Sequence, residues 1–166
     1  MKNQLNIFLL LLLVISFVAC KKNEAPSEIK TTNTLSFIKT NGANLVDNKG
    51  DSIILKGTNL GNWLVPEGYM FKMEQVNSPR KIDEFLYELV GPDSLAVFWK
   101  GFLNNYITHN DIKYLKSIGA NHLRLPFHYK LFTDDLFMGE RNQGFKYFDR
   151  LIDWCREEQL YILLDM

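Results

Sequence analysis

Cysteine is nearly absent from this chain: two of its 166 residues carry a thiol, Cys20 and Cys155. So few thiols exclude a disulfide framework. Net charge is missing too, because 19 basic residues balance 19 acidic ones. With no basic block beyond the segment after Cys20, nucleic acid and strongly acidic partners are not expected. No apolar run is long enough to span a membrane. The longest, Ile7 to Ala19, falls short of the ~20 residues a spanning helix needs. Metal-ligand spacings, a phosphate-cradling glycine loop and a Ser/His nucleophile motif are all lacking. No metal and no cofactor are therefore expected. What remains is a chain with 46% hydrophobic residues, enough for a core, and a high aromatic share of 13%.

The N-terminus reads as targeting sequence. Lys2 precedes the apolar run and a small residue, Ala19, precedes Cys20, as in a secretory signal. Phe17-Val18-Ala19-Cys20 resembles a bacterial lipobox. The resemblance implies cleavage of residues 1–19, lipid on the Cys20 sulfur, and anchoring to an outer membrane on its periplasmic side or at the cell surface. The plainer alternative is an ordinary signal peptide with an incidental cysteine. Residues 20–34 are polar and without apolar period, a flexible tether. The folded part is expected over 35–166. Cys155 lies in a helical pattern beside Trp154 and reads as a buried small hydrophobe.

Within 35–166 strands alternate with helices. Leu45-Val46 and Ile53-Ile54-Leu55 flank a turn-rich cluster and predict a hairpin. Lys56–Asn59 follows as a first parallel strand. Ser78 caps a helix with Pro79 at its first position and Ile82, Phe85, Leu86 and Leu89 inward; Gly91-Pro92 ends it. Asp93 is expected to cap a second helix, with Leu95, Phe98, Trp99 and Phe102 on one side. Thr108 caps a third, with Asp111 at the capping-box position and Gly119 as left-handed terminator. Its apolar positions are Ile112, Leu115 and Ile118. A strand at Asn121–Leu125, a helix at Tyr147–Glu157 and a strand at Tyr161–Asp165 complete the order. Phe148, Leu151, Ile152 and Cys155 should face inward on that helix. The Ile-Leu-Leu run of the last strand suggests burial on both faces. A polar residue at the tip of each successive strand, with helices between, points to a (β/α)8 barrel of the TIM type.

Side chains alternate along a strand, so His122 and Arg124 share one face and Leu123 and Leu125 the other. The leucines belong against helices and Arg124 at the barrel mouth. A guanidinium there either holds an active-site carboxylate ionised or forms a structural ion pair, with Asp165 on the neighbouring strand as a partner. His122 reads as a satisfied core histidine. Past the first strand stand Asn59, Asn62 and Trp63, and then Glu67. Amides bond sugar hydroxyls and indoles stack on sugar faces, although a turn asparagine and a packed tryptophan are commoner. A lone loop glutamate is usually just solvated. His128 and Tyr129 follow the second strand, at the rim.

Taken together these stretches resemble glycoside hydrolase family 5. LKGTNLGNWL looks like the family's first-strand motif, NHLRLPF like its second, and YILLDM like the start of its third. Between the first two, Glu67, Val90-Gly91, Trp99 and Phe102 resemble the exo-β-1,3-glucanase branch. The resemblance covers about Ala43 to Met166. It implies retaining hydrolysis of β-glycosidic bonds, with a β-glucan oligo- or polysaccharide as substrate. That mechanism uses two glutamates ~5–5.5 Å apart, which the family places on strands four and seven, outside this chain. Arg124 would support the nucleophile. Glu67, Asn62 and Trp63 would contact the sugar, joined by Asn59, His128 and Tyr129. A barrel takes ~250 residues, so about three of eight units are expected here. By itself such a piece should neither fold stably nor hydrolyse sugar. The competing expectation is a non-catalytic, glycan-binding surface lipoprotein or a truncated pseudogene product.

Overall fold

A computed structural model describes residues 35–166. The expected signal, Cys20 and the tether lie outside the described residues.

The described part opens with a hairpin, β1 (Lys39–Asn41) and β2 (Asn44–Val46), paired antiparallel with Thr40 opposite Leu45. Gly42 makes the turn at φ +59°, where a side chain is strained. The hairpin is therefore displaced from its predicted place. Leu45 and Val46 pair backwards with residues 39 and 40, and the predicted second arm closes on them through a Val46–Ser52 bridge and through N–H bonds from Ile53 to the Leu45 carbonyl at 2.8 Å and from Asp47 to the Asp51 carbonyl at 3.0 Å. Local polar chemistry explains the change. The Asp47 carboxylate accepts from the N–H groups of Lys49 at 2.8 Å and Asp51 at 3.0 Å. That knot satisfies the loop without a ladder.

The frame of the molecule is a three-stranded parallel sheet in the order β3 (Gly57–Asn59), β4 (His122–Pro126), β5 (Tyr161–Asp165). Asn59 lies opposite Arg124, and Arg124 opposite Leu163. Parallel neighbours need crossovers. The first runs through α1 (Pro79–Val90), α2 (Pro92–Asn105) and α3 (His109–Ser117), and the second through α4 (Gly144–Glu157). Polar residues thus gather at one end of the sheet, where the chain leaves each strand.

Helix punctuation follows local rules. Ser78 Oγ accepts from the Lys81 N–H and Pro79 opens α1. Gly91, at φ +78°, ends α1 and at once begins α2. Asp93 therefore falls inside the first turn of α2 and does not cap it; its charge sits near the positive helix end instead. At α3 the Thr108 N–H and hydroxyl both donate to Asp111 at 2.7 Å. Gly119, at φ +93°, closes that helix, and the Ala120 N–H reaches back to the Leu115 carbonyl at 3.1 Å. α4 starts three residues before the predicted Tyr147. Its Gly144 has room for no side chain, because a Cβ would stand 2.5 Å from the Phe132 ring.

The core joins Leu123 and Leu125 of β4 to Ile112, Leu131, Tyr147 and Leu151, all essentially inaccessible. Some predicted inward positions are exposed: Phe85 and Leu89 on α1, Ile118 after α3, and Ile152 on α4. Each element buries a narrower stripe than its hydrophobic pattern allows; on α1 only Ile82 and Leu86, one turn apart, are covered. Leu163 and Leu164 of β5 are also about half exposed, against the expectation of burial on both faces. Among the described residues β5 pairs with β4 alone. His122 departs from expectation as well, since its buried Nδ1 has no hydrogen-bond partner among the described residues. It packs so tightly on β3 that a Cβ at Gly57 would stand 1.9 Å from the His122 carbonyl oxygen.

Candidate functional site

A cleft of about 560 Å³ opens at the C-terminal ends of β3 and β4. Asn59, Glu67, Tyr69, Asn77, Arg124 and Pro126 are among its walls. The strands deliver Asn59 and Arg124 side by side because they are paired in register. The loop after β3 brings in Glu67 and Tyr69.

Arg124 holds the cleft floor together. One guanidinium nitrogen donates to Asn59 Oδ1 at 2.9 Å, and another pairs with the Asp165 carboxylate at the end of β5. The alternative of a structural ion pair is thus realised in the geometry. The pair is open to solvent, with side-chain exposures of 44% for Arg124 and 41% for Asp165. An exposed pair of this kind contributes about 0–1 kcal/mol. Guanidinium carries five donors, so the two contacts leave donors free for a further anionic or hydroxylated group.

Glu67 is half-buried. Its Oε1 accepts from the Asn62 N–H at 3.1 Å, while its own N–H donates to Asn62 Oδ1 at 2.8 Å. The exposed hydroxyl of Tyr69 stands beside it. A hydrogen bond with Glu67, reinforced by the carboxylate's charge, raises the Tyr69 pKa.

Two residues expected at the sugar lie behind the cleft instead. Trp63 is fully buried; its indole N–H donates to the Leu103 carbonyl at 3.0 Å and its ring meets Tyr147 edge-on at 6.1 Å. A ring with no exposed face cannot stack on a pyranose, so Trp63 is a core residue joining the tail of β3 to α2. Asn62 is 2% exposed, its amide turned into the loop rather than toward the cleft.

His128 and Tyr129 do not line the cleft. The His128 ring stacks on Tyr129 at 4.8 Å and on Phe137 at 4.6 Å, and its Nδ1 accepts from the Lys130 N–H at 3.2 Å. Burial, helped by the Lys130 charge, lowers its pKa. Burial alone pushes the Cys155 thiol up to about 12, which fits the inert core role expected of it.

Sequence reasoning missed Tyr69 and Asn77 as cleft residues. They lie on an irregular segment, where no periodicity reports which side chain faces a neighbour. Asp165 was visible as an ion-pair partner but not as part of a site. Among the described residues no three His, Cys, Asp or Glu side chains form a cluster able to hold a metal ion.

No family model matches the chain. It is 33% identical over 133 residues to a β-xylosidase of Phanerodontia chrysosporium, covering 80% of this chain and 28% of that protein. It is 30% identical over 120 residues to a glucan 1,3-β-glucosidase of Blumeria graminis, covering 68% of this chain and 27% of that protein. The crystal structure of rutinosidase from Aspergillus niger superposes with a TM-score of 0.51 at 25% identity, over 66% of this chain and 32% of that one. The homologues are glycoside hydrolases, and the chain spans less than a third of the length of each.

Proposed function

We propose that this chain forms the first part of a retaining β-glycoside hydrolase of the family 5 type, acting on β-glucan. In this reading β3, β4 and β5 are the first three staves of a (β/α)8 barrel and the cleft is one side of its active-site mouth. The observation that carries it is the convergence of Asn59, Glu67 and Arg124 on one cleft at the strand ends. An amide, a carboxylate and a guanidinium suit the hydroxyl-rich face of a sugar, and similarity to glycosidases along most of the chain supports the same class.

The chemistry divides between recognition and bond cleavage. Glu67 accepts hydrogen bonds from sugar hydroxyls, and Asn59 offers both a donor and an acceptor. Arg124, tethered by Asn59 and Asp165, presents its free N–H donors to a nucleophilic carboxylate and keeps it ionised. Retaining hydrolysis then needs an acid/base and a nucleophile ~5–5.5 Å apart. In this reading both come from later strand ends outside these 166 residues. The 166-residue chain alone accordingly has no turnover. The signal, the lipid on Cys20 and an outer-membrane location belong to the same proposal and rest on the lipobox resemblance.

The test is hydrolysis of β-1,3- and β-1,4-gluco-oligosaccharides by the full gene product, with the anomer of the first-formed sugar read by proton NMR. Release of β-configured product supports the reading, and the product sizes separate cutting from the chain end from internal cutting. Tight glycan binding without turnover would replace it with a non-catalytic binding protein. Absence of both turnover and binding would sink it.

A further inference from the structure

The loop that carries Glu67 into the cleft is closed by a residue whose conformation is unusual for its type. Asn62 has φ +64°, in the left-handed region where a side chain is disfavoured and glycine sits at no steric cost. Asparagine tolerates that region better than most residues, because its short amide bonds nearby backbone. Here it does so. Oδ1 accepts from the Glu67 N–H at 2.8 Å, and the Asn62 N–H donates to Glu67 Oε1 at 3.1 Å. Two reciprocal bonds therefore clasp the ends of the 62–67 loop.

The neighbouring residue fits the same purpose. A Cβ at Gly61 would stand 3.2 Å from Glu67 Oε1 and 3.2 Å from Asn59 Nδ2. Glycine at that point lets both cleft residues approach the chain closely. With only 2% of its surface exposed, Asn62 presents almost nothing to a ligand.

We propose that Asn62 is a positioning residue for Glu67: it fixes the Glu67 backbone and one carboxylate oxygen, and so holds the carboxylate in place for a substrate hydroxyl. The proposal rests on the reading of Glu67 as a sugar-binding residue. Its physical basis is preorganisation. A glutamate on an open loop must lose backbone and side-chain freedom on binding, whereas Glu67, its N–H held by Asn62 Oδ1 and its carboxylate by the Asn62 N–H, loses less.

The Asn62→Gly variant isolates the clasp, since it keeps the left-handed backbone and the N–H bond to Oε1 and removes only the Oδ1 acceptor. Asn62→Asp restores an acceptor at that place. In the full gene product, N62G is expected to raise KM for a short β-gluco-oligosaccharide about tenfold, the scale of one hydrogen bond of ~1.4 kcal/mol. The kcat should change little, and N62D should recover much of the KM. Hydrogen–deuterium exchange over the 62–67 segment should quicken about tenfold or more in N62G and slow again in N62D. Unchanged exchange in N62G overturns the proposal, as does a lower unfolding midpoint with KM unmoved. If the wild-type protein neither binds nor cleaves any β-glycan, the glycosidase reading fails, and the exchange comparison by itself decides whether the clasp exists.

Discussion

The indole N–H of Trp63 donates to the carbonyl oxygen of Leu103 at 3.0 Å, across 40 residues of chain. This bond ties the segment leaving β3 to the last turn of α2. It also settles which way the largest side chain near the cleft points. With Trp63 fully buried against Tyr147, the ring serves the core, and the cleft is reached by Asn59 before it and Glu67 after it.

Replacing Trp63 by Phe should therefore act on stability and not on sugar affinity. The variant loses part of a buried ring and leaves the Leu103 carbonyl without its indole donor. The expected cost is about 1–3 kcal/mol, read as a lower denaturation midpoint of the full gene product. Glycan affinity of the folded fraction should stay within about twofold. Loss of affinity at unchanged stability would reinstate the ring as a stacking platform.

Arg124 should behave in the opposite way. Its pair with Asp165 is exposed, so Arg124→Ala is expected to change stability by no more than about 1 kcal/mol. On its proposed role, activity should fall by about a hundredfold or more, because the charge proposed to keep a nucleophilic carboxylate ionised is gone. Arg124→Lys keeps the charge but reaches Asn59 and Asp165 less well, since ammonium lacks the planar fork. An intermediate loss is expected for it. If Arg124→Ala costs stability and leaves kcat/KM intact, the arginine is structural only.

His128 sets an expectation for acid stability. Burial comes first and the Lys130 charge second, and both lower its pKa below the ordinary 6.5. The folded state then binds its proton less readily than the unfolded state. The stability that neutral His128 contributes is present above pH 6.5 and is lost as the pH falls through the lowered folded value. His128→Phe keeps a ring between Tyr129 and Phe137 and removes the titration. The unfolding midpoint of this variant should vary less steeply below pH 6.5 than that of the wild type. Equal slopes would show that His128 is not linked to folding.

Much of this fold was legible along the chain, and the legible parts share a cause. Ser78-Pro79, Thr108 with Asp111, and Gly119 act within one turn of their own helix, so their roles follow from local backbone chemistry. The strands near 121–125 and 161–165 are short β-rich runs set off by turn residues, and they were placed to within a residue. Arg124 stood out as a charged residue near the end of a strand, whereas Glu67, a lone loop glutamate, was singled out only through the family resemblance.

Facing was another matter. Whether Trp63 meets substrate or core depends on α2 arriving behind it, and nothing within the loop reports that. Phe85 and Leu89 look like core residues by hydrophobicity, yet among the described residues packing leaves them exposed. Hydrophobicity is a property of the residue, but burial is a property of whichever surface comes to meet it. The amino-acid order by itself determined the elements, their caps and the residue types at the strand ends. Only the tertiary structure decided that Asn62 clasps Glu67, that Trp63 holds Leu103 and that Arg124 reaches Asp165. The Trp63 and Arg124 contacts depend on strand register and helix placement, set by segments far apart in the chain, whereas the Asn62 clasp closes within one loop whose irregular backbone no periodicity reports.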